Sequence, residues 1–370
     1  MNLIYNKLCK RLEILKKMKN FKLIMRSLIN NDACIEGGRT KRWFFAVIFV
    51  VLSLIMAVLP IMVTSLQAQG SNFTSSNYLY NYDNAIVAFS DHLVDSDLSM
   101  IVSEDANGRF LAVDKTNWEA VHSGEQNLYK QYIHLNNDNK VDFEVYYTDK
   151  VGQDFVDYYT LVSQNKSPLD GSWREAENIS RSTSYLIFGR DRMVGQLFQP
   201  GNTVAISGVS GDYLKLDLGF DFKSMAIVDI DGVTYATSQD AKFSEPSGFL
   251  KIDEYRLQVQ NKWNAAYDDI YYNSKMITAR DSTLIMLGVD ALLIFFMGLM
   301  VFILTRGKRN PFRIYTFWET QKIAYWASFT PSLLALIFGF IFTEYAVMIF
   351  VMLIGIRIMW MSMKSLKPAM

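Results

Sequence analysis

Arg42-Trp-Phe-Phe-Ala-Val-Ile-Phe-Val-Val-Leu-Ser-Leu-Ile-Met-Ala-Val-Leu-Pro-Ile-Met-Val-Thr-Ser65 is apolar almost from end to end. At about 1.5 Å of rise per residue, a helix of this length crosses a hydrocarbon core of about 30 Å. The run is too long, and begins too far into the chain, for a secretory signal h-region. About 215 mostly polar residues follow before apolar sequence returns at Ser282. The run therefore predicts a membrane anchor followed by one large soluble domain on the far side.

Charge gives the orientation. The chain is 50% apolar and 14% aromatic with a net charge of zero, as expected of a membrane part diluted by a polar domain. The first 42 residues hold 11 Lys/Arg against three acids, whereas Ser65 to Asp281 holds 18 basic residues against 31 acids. Lys and Arg in short loops mark the cytoplasmic side. They place the N-terminus, Arg306-Gly307-Lys308-Arg309 and the tail with Lys364 and Lys367 inside, and the acidic domain outside. Both cysteines, Cys9 and Cys34, fall on the inner side, so no disulfide is expected in the outer domain, which is large enough to stand without one. Asn72-Phe-Thr and Asn178-Ile-Ser match the short glycosylation pattern.

Residues 1–41 begin with a cationic, helix-periodic segment. Ile4, Leu8, Leu12, Leu15, Met18, Phe21, Met25 and Leu28 recur at steps of three and four, and Lys7, Lys10, Arg11, Lys16, Lys17, Lys22 and Arg26 fill much of the remaining surface. This describes an amphipathic helix against anionic inner-leaflet lipid, or one packed on the protein's own loop or a partner. Gly37-Gly38 is expected to be a hinge into the first span, residues 42–65, with Trp43 at the interface and Pro60 near its outer end.

The outer domain, 66–251, reads as α+β on an antiparallel sheet. Val141 to Thr148 alternates strictly, and Leu214, Leu216, Leu218, Phe220 and Phe222 alternate with Lys215, Asp217, Gly219 and Asp221. Met225–Ile230, Asp231-Gly232 and Val233–Thr237 form a hairpin signal, because Asp-Gly suits a type I′ turn. Asn136 to Asn139 and Gly189-Arg190-Asp191 are turn candidates, and Gln153 to Val162 a short helix. From Ile252 the period becomes helical, with Leu257, Trp263, Tyr267, Ile270, Ser274 and Ile277 on one face. A helical stalk over 252–281 then runs into a second span, 282–305. Residues 306–322 form a cytoplasmic interfacial segment rich in Phe, Tyr and Trp. A third span, 323–342, is broken or kinked at Pro331; a fourth, 345–363, returns to a cytoplasmic tail, 364–370.

Familiar catalytic motifs are absent from the sequence: no Gly-x-Gly-x-x-Gly, Walker loop, His-Glu-x-x-His or Gly-x-Ser-x-Gly. The expectation is a non-enzymatic chain with no cofactor, no metal and no nucleic-acid partner. His92, His122 and His134 read as surface histidines, and Asp229-Ile-Asp231-Gly232 as turn chemistry, because the further ligands of a calcium loop are missing. Asp290 and Arg357 lie inside spans, roughly 12 Å and roughly 20 Å deep, where a lone charge costs about 2.5–3.5 kcal/mol. Both should face the bundle interior, within reach of one another. They read as a packing device that fixes helix register, or as a switch or ion path.

In the membrane half, Tyr315-Thr-Phe-Trp-Glu-Thr-Gln-Lys-Ile-Ala-Tyr325 and Ala327-Ser-Phe-Thr-Pro331-Ser-Leu-Leu resemble a family of Gram-positive multi-pass membrane proteins, often labelled maltodextrin utilization proteins. Ile227-Val-Asp-Ile-Asp-Gly232 shares that likeness. The resemblance implies a basic N-terminal segment, one span, an outer domain and a closing three-span bundle; it carries no catalytic residues. Val228-Asp-Ile-Asp-Gly-Val-Thr-Tyr-Ala-Thr237 also resembles a hairpin of Cache-type extracellular sensor domains, which bind small ligands.

Together these readings predict an accessory or sensing protein of the plasma membrane, linked to carbohydrate uptake, whose outer domain binds a small molecule, glycan or partner. Trp118, Trp173, Tyr146, Tyr147, Tyr158 and Tyr159 could stack on sugar rings, although aromatic residues more often fill cores. The alternative is a permease-like subunit of a mechanotransmitting ABC system. Arg306, Lys308, Arg309, Arg313, Trp318 and Glu319 would then dock a separate transporter or ATPase subunit.

Overall fold

The computed structural model describes residues 21–74, 80–114, 132–136, 141–168, 171–172, 183–198, 205–243, 248–308 and 310–366. Trp118, Trp173, His122, Cys9, Arg309, Lys367, Asn178 and the expected turn over 137–139 lie outside these, as do Lys7, Lys10, Arg11, Lys16 and Lys17. The chain divides into two compact units, residues 68–277 and residues 1–67 with 278–370.

In the first unit a five-stranded sheet is ordered β3 (Tyr132–Leu135), β4 (Val141–Tyr147), β5 (Ser184–Phe188), β6 (Arg192–Phe198), β7 (Ala205–Asp212). The sheet is mixed, not antiparallel: β4 pairs parallel with β5 and all other neighbours are antiparallel. The connection between β4 and β5 carries helix α4 (Gly152–Ser163), which a tight turn has no room for. Helix α3 (Tyr80–Asp95) precedes the sheet and the hairpin β1–β2 (Met100–Asp105, Gly108–Val113).

Both faces of the sheet are covered. Phe143, Val145, Leu186 and Phe188 join α3 in one core, while Tyr146, Tyr185 and Ile187 meet Phe155, Tyr158 and Val162 of α4 in another. The strict alternation along β4 implies one face on a core and one in water; instead Phe143, Glu144, Val145 and Tyr146 are all buried, because alternate side chains enter different cores. The Tyr146 hydroxyl donates to Glu144 Oε2 at 2.5 Å, so the buried carboxylate is hydrogen-bonded.

Residues 214–222 do not form the expected strand. Gly219 has a φ of +81°, Phe222–Met225 is a 3-10 turn capped by Asp221, and Arg109 Nη1 donates to the Leu214 and Leu216 carbonyls. The alternation nevertheless selects real core residues, since Leu216 and Phe222 are buried. The Asp-Gly hairpin forms as expected: β8 (Val228–Ile230) and β9 (Val233–Tyr235) are antiparallel, and Asp231 and Gly232 have φ of +52° and +81°. After it come α5 (Ser238–Phe243) and α6 (Gly248–Leu304), 57 residues without a break.

The residues read as a stalk are helical but line the core of the sheet unit. Tyr255, Val259, Trp263, Ala266, Tyr267 and Ile270 of α6 are buried with Phe89 and Phe188, while Leu257 and Ile277, expected on one helical face with Trp263, Tyr267 and Ile270, are exposed. Gly70 and Gly211 permit this seat: a Cβ at either would strike a backbone carbonyl of α6, at Tyr267 and Ile270 respectively.

Among the described residues, the second unit holds four helices long and apolar enough to cross a membrane: α2 (Trp43–Gln67), the end of α6, α7 (Phe317–Ile341) and α8 (Ala346–Lys364). Small residues allow α2 and α7 to approach closely. Ser328 Oγ donates to Ser53 Oγ at 2.9 Å, and Gly339 lies so near Pro60 that a Cβ would sit 2.8 Å from its Cγ. Helix α7 starts at Phe317, six residues before the expected third span, because Thr316 and Glu319 form a capping box. It continues through Pro331, as α2 does through Pro60, so neither proline ends its helix.

Residues 21–27 are helical, and α1 (Asn31–Thr40) follows, N-capped by Asn30. Gly37 and Gly38 are not a hinge but the contact surface of α1. A Cβ at Gly37 would fall 2.7 Å from Trp326, and one at Gly38 2.6 Å from Ile323, both on α7.

Candidate functional site

A cavity of about 370 Å³ opens in the sheet unit beside α3, β3, β4 and the start of α6. Asp91 from α3, His134 from β3, Asp142 from β4, Ser238 from α5 and Arg256 from α6 reach it. The β3–β4 hairpin sets His134 opposite Phe143, one residue from Asp142. His134 Nδ1–H donates to Asp142 Oδ1 at 2.7 Å, with side chains 18% and 12% exposed. A carboxylate only accepts, which fixes the tautomer. The expectation of a surface histidine is therefore corrected here, and His92 packs its ring 5.1 Å from that of Tyr132.

Asp91 is fully engaged. Oδ1 accepts from Ser238 N at 3.0 Å and from the Tyr255 hydroxyl at 2.9 Å, and Oδ2 accepts from Ser238 Oγ. Burial raises the Asp91 pKa above the ordinary carboxylate value, and the bonds from Ser238 and Tyr255 pull it back. Asp142 Oδ2, in contrast, is buried with no hydrogen-bond partner among the described residues. A buried acceptor left open is costly and waits for a donor. Arg256 stands 3.9 Å from Asp253 and supplies the cavity's cation. The cavity is thus lined by two carboxylates, an imidazole and a guanidinium, with Val87, Ala88 and Leu135 as its apolar wall. None of these residues was singled out as a ligand-binding position from the sequence. The signal available was His134 eight residues before Asp142, but only the strand register shows that they meet.

The aromatic residues expected to stack on sugars lie elsewhere. Tyr146 and Tyr158 are core residues and Tyr159 packs against them. Tyr147 is packed against the core on the sheet's other face. A second cavity, about 410 Å³, is lined by amides and hydroxyls, among them Gln69, Asn72, Gln260 and Asn264.

Asp290 and Arg357 do not meet. Arg357 turns to the segment that precedes α2 and to α7: Nη1 donates to Ala327 O at 3.1 Å, Nε to Asn31 Oδ1 at 3.3 Å, and Nη2 to Ser27 O and to Cys34 Sγ. It therefore ties residues 21–40 to α7 and α8, and the meeting with Asp290 that the sequence allows is not made. Asp290 is 1% exposed and neither carboxylate oxygen has a partner. Lys22 and Arg26 sit on the short helix that ends in this knot, with Leu23 and Ser27 buried and Phe21 and Met25 exposed. The described part of the basic segment thus packs on the bundle.

In the loop between α6 and α7, Arg306 donates to Arg313 O and Tyr315 O and lies over the Phe302 ring. It closes the loop instead of projecting from it. Lys308, Ile314 and Trp318 are exposed, whereas Glu319 is held in the helix cap. Among the described residues, no group of three or more His, Cys, Asp or Glu is placed to hold a metal ion.

What the fold and cavity define is a class: four apolar helices joined in one chain to a mixed-sheet domain with a polar, ionisable cavity. Compared with protein-family models, with curated proteins and with solved structures, the chain matches none.

Proposed function

We propose that this chain is a multi-pass plasma-membrane protein with both termini cytoplasmic and residues 66–281 outside. On this reading the sheet domain captures a small polar solute as a non-enzymatic accessory or sensing component of uptake. The observation that carries it is a cavity lined by Asp91, His134, Asp142 and Arg256, where Asp142 Oδ2 has no hydrogen-bond partner among the described residues. Such a site selects a ligand rich in hydrogen-bond donors, an amine or a compact polyol, through pairing with carboxylates. Arg256 belongs to the 57-residue helix α6 that also supplies residues 278–304 of the bundle, so no loop separates the cavity's helix from an apolar span. The link to carbohydrate rests on the resemblance of residues 315–334 and 227–232 alone.

The full-length protein in nanodiscs, heated with maltotriose, short polyamines and amino acids, tests this reading. A ligand at about 100 times its Kd adds about 2.7 kcal/mol to stability, and the resulting rise in Tm should vanish in Asp142→Ala. If no compound shifts the wild-type midpoint, or if the shift survives in the variant, the cavity is not a ligand site. A second reading, docking of a transporter or ATPase subunit, is supported by exposed Lys308 and Ile314 between α6 and α7 and by exposed Trp318 in the first turn of α7. Co-purification with an ATPase that Trp318→Ala abolishes would favour it.

A further inference from the structure

From residue 278 onward, the residues of α6 that are buried are Ala279 and then Asp290, Ile294, Gly298 and Val301, with Thr305 just past the helix end. From Asp290 the steps are four, four, three and four, the spacing of a single helical face. Asp290 is therefore part of the stripe by which α6 packs on the bundle. Thr283 Oγ1, seven residues earlier on the same face, is also buried without a partner, as is Gln321 Oε1, which lies against Gly298.

Among the described residues, no positive charge pairs with Asp290. Helix α2 contains no charged residue. On α7, Glu319 is held in the cap and Lys322 donates to Lys41 O. On α8, Arg357 is occupied by Ser27, Asn31, Cys34 and Ala327, and Lys364 stands in the last turn. On α6 itself Arg280 pairs with its neighbour Asp281. An unpaired carboxylate enclosed among apolar helices is far costlier than the neutral acid.

We propose that Asp290 is a reversible proton-binding site of the bundle. The neutral acid lets α6 keep its seat, and loss of the proton places an uncompensated anion within the packing stripe. The ligand is the hydron, taken up by a carboxylate oxygen with no change in any other bond. This site is separate from the cavity of the sheet unit, and neither reading depends on the other.

Carbodiimides add to protonated carboxyl groups, so full-length protein in liposomes is treated with dicyclohexylcarbodiimide or with a water-soluble carbodiimide, then digested and weighed. The peptide carrying Asp290 should gain the adduct from the membrane-soluble reagent alone, with a yield at least about tenfold lower at about pH 9 than at about pH 6. Asp290→Asn, neutral and of the same shape, should remove the adduct and the alkaline fall in Tm that the wild type shows. Should that chain not fold, Asp290→Leu serves the same comparison. No adduct at acid pH, equal yields at both pH values, or an alkaline limb identical in wild type and variant would each overturn the proposal.

Discussion

Burial pushes the Cys34 thiol up to about 11, although the Arg357 guanidinium 3.2 Å from Sγ draws it the other way. The thiolate is the reactive form, so raising the folded pKa keeps the group inert well above neutral pH. We expect alkylation of Cys34 to be slow in the folded protein at about pH 8 and to quicken only as pH approaches 11 or the chain unfolds. Mass spectrometry after timed iodoacetamide treatment checks this, and prompt labelling at pH 8 would refute the buried geometry. Gly38 makes a steric counterpart. A side chain there meets the Ile323 backbone as well as its Cγ1, so Gly38→Val should push α1 off α7 at a cost of about 1–3 kcal/mol. A lowered Tm in detergent is the expected result; an unchanged one means that α1 does not pack where described. The residue-scale facts that define the candidate site were the least legible ones. His134 and Asp142 are unremarkable until β3 and β4 are in register, and Asp91, over forty residues away in sequence, joins them only through packing of α3.

Among the elements, α6 shows most clearly how a local pattern can be right in type and wrong in role. Its periodicity marks a helix, but the side chains that bury are Tyr255, Val259 and Ile270 together with Trp263 and Tyr267, because the sheet and two glycines select the face. Gly70→Ala or Gly211→Ala should each destabilise the sheet unit strongly, since the added methyl opposes a backbone carbonyl and not a flexible side chain. Loss of the cooperative unfolding transition, or a much lower midpoint, is expected. A variant as stable as the wild type would show that α6 is not clasped there. Thr316→Ala, by comparison, removes one cap of α7 and should cost about 1 kcal/mol, read as a small drop in Tm. The Asp231-Gly232 hairpin was legible because turn type depends on two residues; the run 214–222 was not, because Arg109 from another strand captures its carbonyls.

For the whole molecule, the arrangement proposed is one of sidedness. Glu104→Cys, on an exposed position of β1, should react from outside with a membrane-impermeant maleimide on intact cells stripped of their wall. Lys308→Cys, exposed on the inner loop, should react only after permeabilisation. The reverse pattern would invert the topology and place the cavity inside. Sequence by itself determined the four helices long and apolar enough to cross a membrane, the charge asymmetry and the Asp-Gly hairpin, because hydropathy, net charge and turn chemistry are properties of neighbouring residues. Tertiary structure alone decided that the sheet is mixed, that residues 252–277 are core, that Arg357 grips α1 and leaves Asp290 unpaired, and that Asp91, His134, Asp142 and Arg256 share a cavity. Strand register, helix face and charge pairing depend on which distant segments exclude water together, and no stretch of this chain carries that information alone.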